Sequence, residues 1–245
     1  MRVMGYNILK GGYHRHPFIA EVIAYHQPDV VIFEEAGYPR AVETIARLAR
    51  YPHYAWHLGY SVAFMSRIPA AYQWHHFRWN RSPVLEVLPE NHTVRIYGVH
   101  LFANLAAIME RIRVREVHNL VKLAEPHIDQ PHVFIGDFNA IAPGDKIDIA
   151  TYPPMLRWII KMNGGDAIRD ALANLQMAGY TDAFRHLHPD DNGWSLPTPI
   201  PNSRLDYAFV PKAQIQRVRE CRILHEPETA NTASDHFPVM IDLAV

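Results

Sequence analysis

The sequence predicts an α/β fold built from two mixed sheets, and three observations carry that prediction. Short apolar runs, Val30-Val31-Ile32-Phe33 and His132-Val133-Phe134-Ile135, have the length and β-branched or aromatic content of strands buried on both faces. Segments with the spacing of amphipathic helices lie between them, and short alternating stretches with glycine and proline turns fill residues 54–88. The apolar runs end in acids or an amide, and two sheets packed face to face would bring such ends to one rim.

A chain of 245 residues that is 49% hydrophobic can bury a large core, and residues 1–245 read as one domain without repeats or linkers. The formal net charge of −1 gives no global attraction to nucleic acid or anionic membrane, so any affinity for a polyanion must be local. Cys221 is the only cysteine, which excludes an intrachain disulfide and a thiolate-rich metal site. The chain opens on Arg2-Val3-Met4 rather than a basic-then-apolar leader, and no apolar run approaches the ~18 residues of a membrane span. These features predict a soluble cytoplasmic protein with no membrane span, and no protein partner can be read from them. The sixteen histidines scatter without forming the helical His pair of a zinc hydrolase.

Residues 2–8 form the first predicted strand, stopped by Gly11-Gly12, which leaves Asn7 at its C-terminal end. The loop Gly11-Gly12-Tyr13-His14-Arg15-His16 reads equally as a phosphate-holding loop or an exposed polar turn. A helix follows from Pro17 to His26, with Phe18, Ile19, Val22 and Ile23 on its apolar face, and Gln27-Pro28-Asp29 ends it. The buried strand 30–33 runs into Glu34-Glu35, of which one should enter a polar site while the other is solvated. After a helix over residues 40–49 come short strands at 54–58, 61–66, 70–77 and 84–88. The aromatic cluster from Trp74 to Trp79 suits packing better than a base-stacking platform.

A strand over residues 93–100 carries His100 at its end. Leu105, Ile108, Met109, Ile112, Val117, Leu120 and Val121 then mark a long helix, whose Glu110, Arg111, Arg113, Arg115 and Glu116 read as a solvated face. The strand at 132–135 ends in Gly136-Asp137-Phe138-Asn139. Pro153-Pro154 opens a short helix that is apolar almost all round, suited to core packing more than to a surface. A second helix, 168–177, has Asp166 as its predicted cap. Strands at 204–210 and 215–223 precede the turn Ser234-Asp235-His236 and a final strand. Adjacent residues entering a strand point to opposite sides, so Asp235 and His236 share one mouth only if the turn splays them.

Asn7, Glu35, His100, Asp137, Asn139, Asp206, Asp235 and His236 thus recur in one context, a strand end next to a turn. The strings Tyr6-Asn7, Phe33-Glu34-Glu35, Gly98-Val99-His100-Leu101, Gly136-Asp137-Phe138-Asn139, Arg204-Leu205-Asp206-Tyr207 and Ser234-Asp235-His236 also stand in a telling order. In that order the sequence closely resembles the endonuclease/exonuclease/phosphatase superfamily from its first strand to its last. The resemblance implies a four-layer αββα sandwich of two mixed sheets flanked by helices, and a divalent-metal-dependent phosphodiester hydrolase with its site at one edge of the paired sheets. It makes Glu35 the principal metal carboxylate, with Asn7 and Asp235 completing or flanking the shell. Hard oxygen ligands suit Mg²⁺ or Mn²⁺. It gives Asp137 the attacking water, with Asn139 beside it. His236, paired with Asp206, would contact the phosphoryl oxygen as an imidazolium, and His100 would be a further donor. Either Asp137 or His236 can serve as general base.

Two departures stand out. Glu34 occupies a position where the family commonly has glutamine, which would bring a second negative charge to the ion. Leu9 stands where abasic-site endonucleases of the family often carry an acid, and His100 is nearer the branch of pancreatic-type deoxyribonucleases, sphingomyelinases and tyrosyl-DNA phosphodiesterases. The expected substrate is a phosphodiester, DNA or RNA or a nucleotide-like diester. A phosphatase or a phospholipid or inositol-phosphate phosphodiesterase is the alternative. A non-catalytic binding module is disfavoured because every expected acid and histidine is present.

Overall fold

A computed structural model describes residues 1–78, 80–104 and 106–244. Its strands are β1 (Arg2–Asn7), β2 (Val30–Glu34), β3 (His53–Ala55), β4 (Ala63–Ser66), β5 (Ala70–His75), β6 (Val84–Pro89), β7 (Arg95–His100), β8 (His132–Asp137), β9 (Tyr180–Asp182), β10 (Asp206–Pro211), β11 (Val218–Ile223) and β12 (Val239–Leu243). The helices are α1 (His16–His26), α2 (Ala41–Ala49), α3 (Ala107–Ala124), α4 (Pro154–Met162), α5 (Asp170–Met177), α6 (Ala183–Leu187) and α7 (Ala230–Ala233).

The strands form two six-stranded mixed sheets, ordered β11-β12-β1-β2-β4-β3 and β5-β6-β7-β8-β10-β9. Each has one parallel pair at its middle, β1 with β2 and β7 with β8, and antiparallel neighbours elsewhere. Helices α1, α2 and α7 pack together beside the first sheet, and α3 and α5 pair beside the second. The architecture is therefore the four-layer αββα sandwich. The period-2 alternation of the strands divides the core. Ile96, Val133, Ile135, Ala208 and Val210 join the cluster between the sheets. Tyr97, Val99, Phe134, Tyr207 and Phe209 point the other way and pack with Val117, Leu120, Leu172 and Leu175 of α3 and α5.

The sheets approach closely where glycines of one sheet face isoleucines of the other. A Cβ on Gly5 would lie 3.0 Å from the Ile135 side chain, and one on Gly98 would lie 2.6 Å from Ile32. A larger residue at either position would wedge apart the rim on which the polar strand ends meet.

Several sequence expectations change. Glu110, Arg113 and Glu116 of α3 are buried, not solvated. Arg113 donates to Glu110 and to the carbonyl oxygens of Phe102 and Asn104, and Glu116 accepts from the backbone N–H groups of Arg81 and Phe102. The segments around residues 81 and 102 fold over this face, so its charges satisfy backbone donors and acceptors. The 168–177 helix starts later, at Asp170, without a side-chain cap; Asp166 instead accepts from Ala167 N–H and from Arg169. Residues 212–217 form a 3₁₀ turn before β11. The short elements β9, α6 and α7 carried no sequence signal of their own. Arg15 and His16 bond to backbone carbonyls, with Arg15 tying Ile8 and Leu9 to Ala233, so the loop before α1 is a brace and not a free cationic cradle. Trp74 packs against the core and donates to the Val62 carbonyl, as the packing reading requires. Trp79 of that cluster and Leu105 of the α3 stripe lie outside the described residues.

In α4 the expectation of core packing fails. Of its apolar side chains only Ile160 is buried, while Met155, Trp158 and Met162 stand in solvent.

Candidate active site

The strand period places the polar ends. Counting in twos from the residues at the sheet interface, Gly5 leads to Asn7, Ile32 to Glu34, Gly98 to His100, Ile135 to Asp137 and Ala208 back to Asp206. Register then aligns them: Asn7 pairs with Glu34, His100 with Asp137, and Asp206 with Asp137. Glu35 would point away from the interface if the strand continued. Its left-handed φ of 56° turns the chain, and Lys10 N–H fixes its Oε2 at 2.8 Å. Asn139, at φ 47°, is turned back in the same way.

Asp137 is the hub. Its Oδ1 accepts from Asn139 N–H at 2.8 Å, and its Oδ2 accepts from the amides of Asn7 and Asn139, each at 3.0 Å. His100 Nε2 stands 3.7 Å from the same Oδ2. Burial pushes the Asp137 carboxyl up to about 7; the His236 imidazolium and these hydrogen bonds oppose the rise, and Asp206 adds to it. Asp206 Oδ2 bonds His236 Nδ1 at 2.9 Å and accepts from Ser195 Oγ at 2.5 Å. Burial alone would lower the His236 pKa, but Asp206, with Asp137 and Asp235 beyond it, pushes it up to about 10. His236 is therefore an imidazolium at neutral pH.

His100 differs. Burial pulls it down to about 4, more than the Glu35 carboxylate raises it, so its ring is neutral. Ser61 Oγ accepts from Glu35 N–H and bonds His100 Nδ1. If the hydroxyl donates to Nδ1, the ring proton sits on Nε2, facing Asp137.

The structure gathers Glu35, His100, Asp137, Asn139 and His236 around one cavity of about 510 Å³, with Lys10, Tyr60, Ser61 and Arg81 also on its walls. Asn7 and Asp206 stand behind this lining and contact it through Asp137 and His236. Asp235 is half-buried outside the lining, where its Oδ1 lies 3.4 Å from Ser234 Oγ, whose hydroxyl donates to the Asn7 carbonyl at 2.7 Å. The bend before β12 thus splays Asp235 from His236. Among the described residues no three His, Cys, Asp or Glu side chains stand close enough together to hold a metal ion.

Glu34 departs from the expectation of a solvated second acid. It is fully buried with both oxygens unpartnered, and burial together with the Asp206 and Asp137 charges holds it well above the usual carboxylate range. Its burial thus works against the second negative charge expected at the ion. Gly136 leaves the room for it, since a Cβ there would lie 2.5 Å from Glu34 Oε1. The sequence reading also missed Ser61 and Ser195, single loop serines with no pattern to mark them.

The donor set suits a hard divalent cation. Glu35 and Asp137 bring carboxylate oxygens to the cavity wall, Asn139 brings an amide oxygen, and Asp206 Oδ1 behind them is buried without a partner. Asn7 presents its amide nitrogen to Asp137 and, at 3.5 Å, to Glu35, while its Oδ1 accepts from Leu9 N–H. Ligation by Asn7 would require that carbonyl to turn.

A two-sheet sandwich with carboxylates, amides and an Asp–His pair at one rim is a defined class of protein. The model of the Endonuclease/Exonuclease/phosphatase family matches residues 4–236, and the chain belongs to that family. Among solved structures it resembles an AP endonuclease from Archaeoglobus fulgidus, with TM-score 0.77 at 14% identity. It also resembles a 3′ phosphatase, NExo, from Neisseria bound to product DNA hairpin, with TM-score 0.76 at 20% identity. A 3′-5′ exonuclease, NExo, from Neisseria meningitidis gives TM-score 0.73 at 18% identity. Each comparison covers 100% of both chains. At these identities the likeness establishes the fold. No curated protein matches significantly.

Proposed function

We propose that the chain is a divalent-metal-dependent phosphodiester hydrolase acting on nucleic acid or a nucleotide-like diester. The observation that supports this most is the convergence of Glu35, the Asp137 hub and the Asp206–His236 pair on one cavity. Glu35 would be the main holder of Mg²⁺ or Mn²⁺, with Asn7 and Asp235 as the flanking ligands. The ion, when bound, supplies positive charge to the phosphoryl oxygens and the leaving group.

The chain's own groups divide the remaining work. Asp137 takes the proton of the attacking water, and Asn139 and Asn7 fix its carboxylate by hydrogen bonds to its two oxygens. His236, held by Asp206, donates from Nε2 to a non-bridging oxygen, where charge accumulates as the water attacks. His100 donates to the phosphate or the departing oxygen. Lys10 and Arg81 on the cavity wall attract the anionic substrate locally, which a chain of net charge −1 does not do globally. The structural relatives, an AP endonuclease, a 3′ phosphatase bound to product DNA hairpin and a 3′-5′ exonuclease, favour a nucleic-acid substrate.

The test is a panel of plasmid DNA, abasic duplex, 5′-tyrosyl oligonucleotide, single-stranded RNA, an aryl diester and phospholipid, each with Mg²⁺, Mn²⁺ or chelator. Cleavage of at least one diester that stops with chelator is expected. Hydrolysis of none under any metal sinks the proposal.

A further inference from the structure

The exposed face of α4 has no role in the chemistry above. Met155, Trp158 and Met162, at i, i+3 and i+7, are 74%, 62% and 68% exposed on one side of the helix. Large apolar side chains exposed side by side mark an interaction surface. The neighbouring loop adds Ile200 at 78% exposed. That loop is tied to the approach to α4, because Asp148 N–H donates to the Asn202 carbonyl and the Asn202 amide donates to Thr151 Oγ1.

Between helix and loop lies an apolar cavity of about 450 Å³ walled by Tyr152, Pro153, Leu156, Leu196, Pro197 and Leu205. Asn139 lines both this cavity and the catalytic one, so the apolar rim borders the catalytic mouth.

The charge pattern selects the occupant. The helix carries exposed Arg157 and Lys161 and no acid, and neither cation forms an ion pair among the described residues. A second copy docking about a two-fold axis would bring these cations toward their own duplicates with no acid on the helix to meet them. Nucleic acid would engage the cations and stack a base on Trp158, but it would leave the two methionines and Ile200 unburied. A helix with tryptophan and methionine on one side and Arg and Lys at its flanks is built like an interfacial helix, whose apolar side chains enter the acyl boundary while the cations meet anionic headgroups.

We propose that α4 and the loop bearing Ile200 dock on an anionic phospholipid surface, which turns the catalytic mouth toward that surface. The proposal concerns a surface outside the catalytic groups and is read by binding alone, so its failure is separate from failure of the hydrolase reading.

The test is co-sedimentation of the full chain with phosphatidylcholine vesicles, with and without 30 mol% phosphatidylglycerol, a composition chosen to make the surface anionic. The full chain should partition to the anionic vesicles at least tenfold more strongly than the triple variant Met155→Ser, Trp158→Ser, Met162→Ser. A second variant, Arg157→Glu with Lys161→Glu, should bind several-fold less well, and all these side chains are exposed, so equal melting temperatures show that the variants fold. Absence of vesicle binding, equal binding by the parent and the triple variant, or equal binding to neutral and anionic vesicles overturns the proposal. So does a parent dimer in analytical ultracentrifugation that the triple variant converts to monomer, because the face would then belong to a second copy.

Discussion

The buried cluster behind the site gives the sharpest stability prediction. Arg204 is wholly buried and makes four charge-assisted hydrogen bonds, two to Asp145 at 2.8 and 2.9 Å and two to Asp182 at 2.5 and 3.1 Å. In Arg204→Ala, Asp145 keeps Arg185 and the Tyr207 hydroxyl, each at 3.0 Å. Asp182 keeps only the Arg185 backbone N–H at 3.1 Å and is left as a nearly unpaired buried carboxylate. Breaking a buried ion pair from one side costs about 3–5 kcal/mol. For a chain of this size about 2–4 °C of melting temperature accompanies each kcal/mol, so the variant should melt about 6–20 °C below the parent. Arg204→Lys should fall between, because an ammonium cannot reproduce the two-sided fork. Combining Arg204→Met with Asp145→Asn and Asp182→Asn should recover much of the loss, since neither acid is left charged and unpaired, and Arg185, which loses Asp145, keeps the His188, Pro189 and Asp191 carbonyls. Urea titration and thermal melting read these values. A cost under about 1 kcal/mol for Arg204→Ala would refute the claim that the guanidinium holds two buried acids together.

Three further predictions concern the site and its supports. Ser195→Ala removes the donor to Asp206 Oδ2 and strands Leu205 N–H, which bonds Ser195 Oγ at 3.2 Å. A hydrogen bond to a charged group is worth about 1.5–3 kcal/mol, so turnover should fall roughly 10- to 100-fold, with Ser195→Thr restoring much of it. Gly136→Ala puts a Cβ 2.2 Å from the Val99 carbonyl oxygen at φ 137°; a loss of about 2 kcal/mol or more, read by urea titration, is expected together with loss of activity. Acid should destabilise the fold through His132. Its Nδ1 bonds the Gln130 carbonyl and its Nε2 the Tyr180 hydroxyl, each at 2.9 Å, and burial holds its pKa below 6.5. Between its folded and unfolded pKa values the unfolded chain binds more protons. The stabilisation is therefore present above about pH 6.5 and is lost as pH falls through the folded value. Thermal melts from pH 8 to 5 should show the decline, with a shallower slope in His132→Gln; equal slopes would contradict it.

The sequence exposed those parts of the site that strand chemistry controls. Asn7, His100, Asp137 and Asp206 end or begin apolar runs, and the period of two puts each on the inner face beside its neighbour. The six motif strings carried the family assignment, which the family match over residues 4–236 bears out. What the sequence hid depends on contacts between distant segments. Ser61 meets His100 across 39 residues and Ser195 meets Asp206 across 11, and nothing local distinguishes either serine. Glu110, Arg113 and Glu116 looked solvated because charged residues on a helix usually are; the loops that cover them are set by the sheets. The exposure of α4 was hidden because a helix apolar almost all round presents no stripe to assign to core or solvent.

The central claim is that Glu35 and His236 form one metal-dependent hydrolytic site. Its most direct measurement is the initial rate of cleavage of the best substrate from the panel, titrated with Mg²⁺ after chelation, for the parent, Glu35→Ala and His236→Ala. The parent should recover activity saturably with the metal. Glu35→Ala should bind Mg²⁺ far more weakly, and His236→Ala should keep metal binding while losing about 3–4 kcal/mol of transition-state stabilisation, roughly 100- to 1,000-fold in rate. Near-parental rates in His236→Ala, or unchanged Mg²⁺ affinity in Glu35→Ala, would contradict the account.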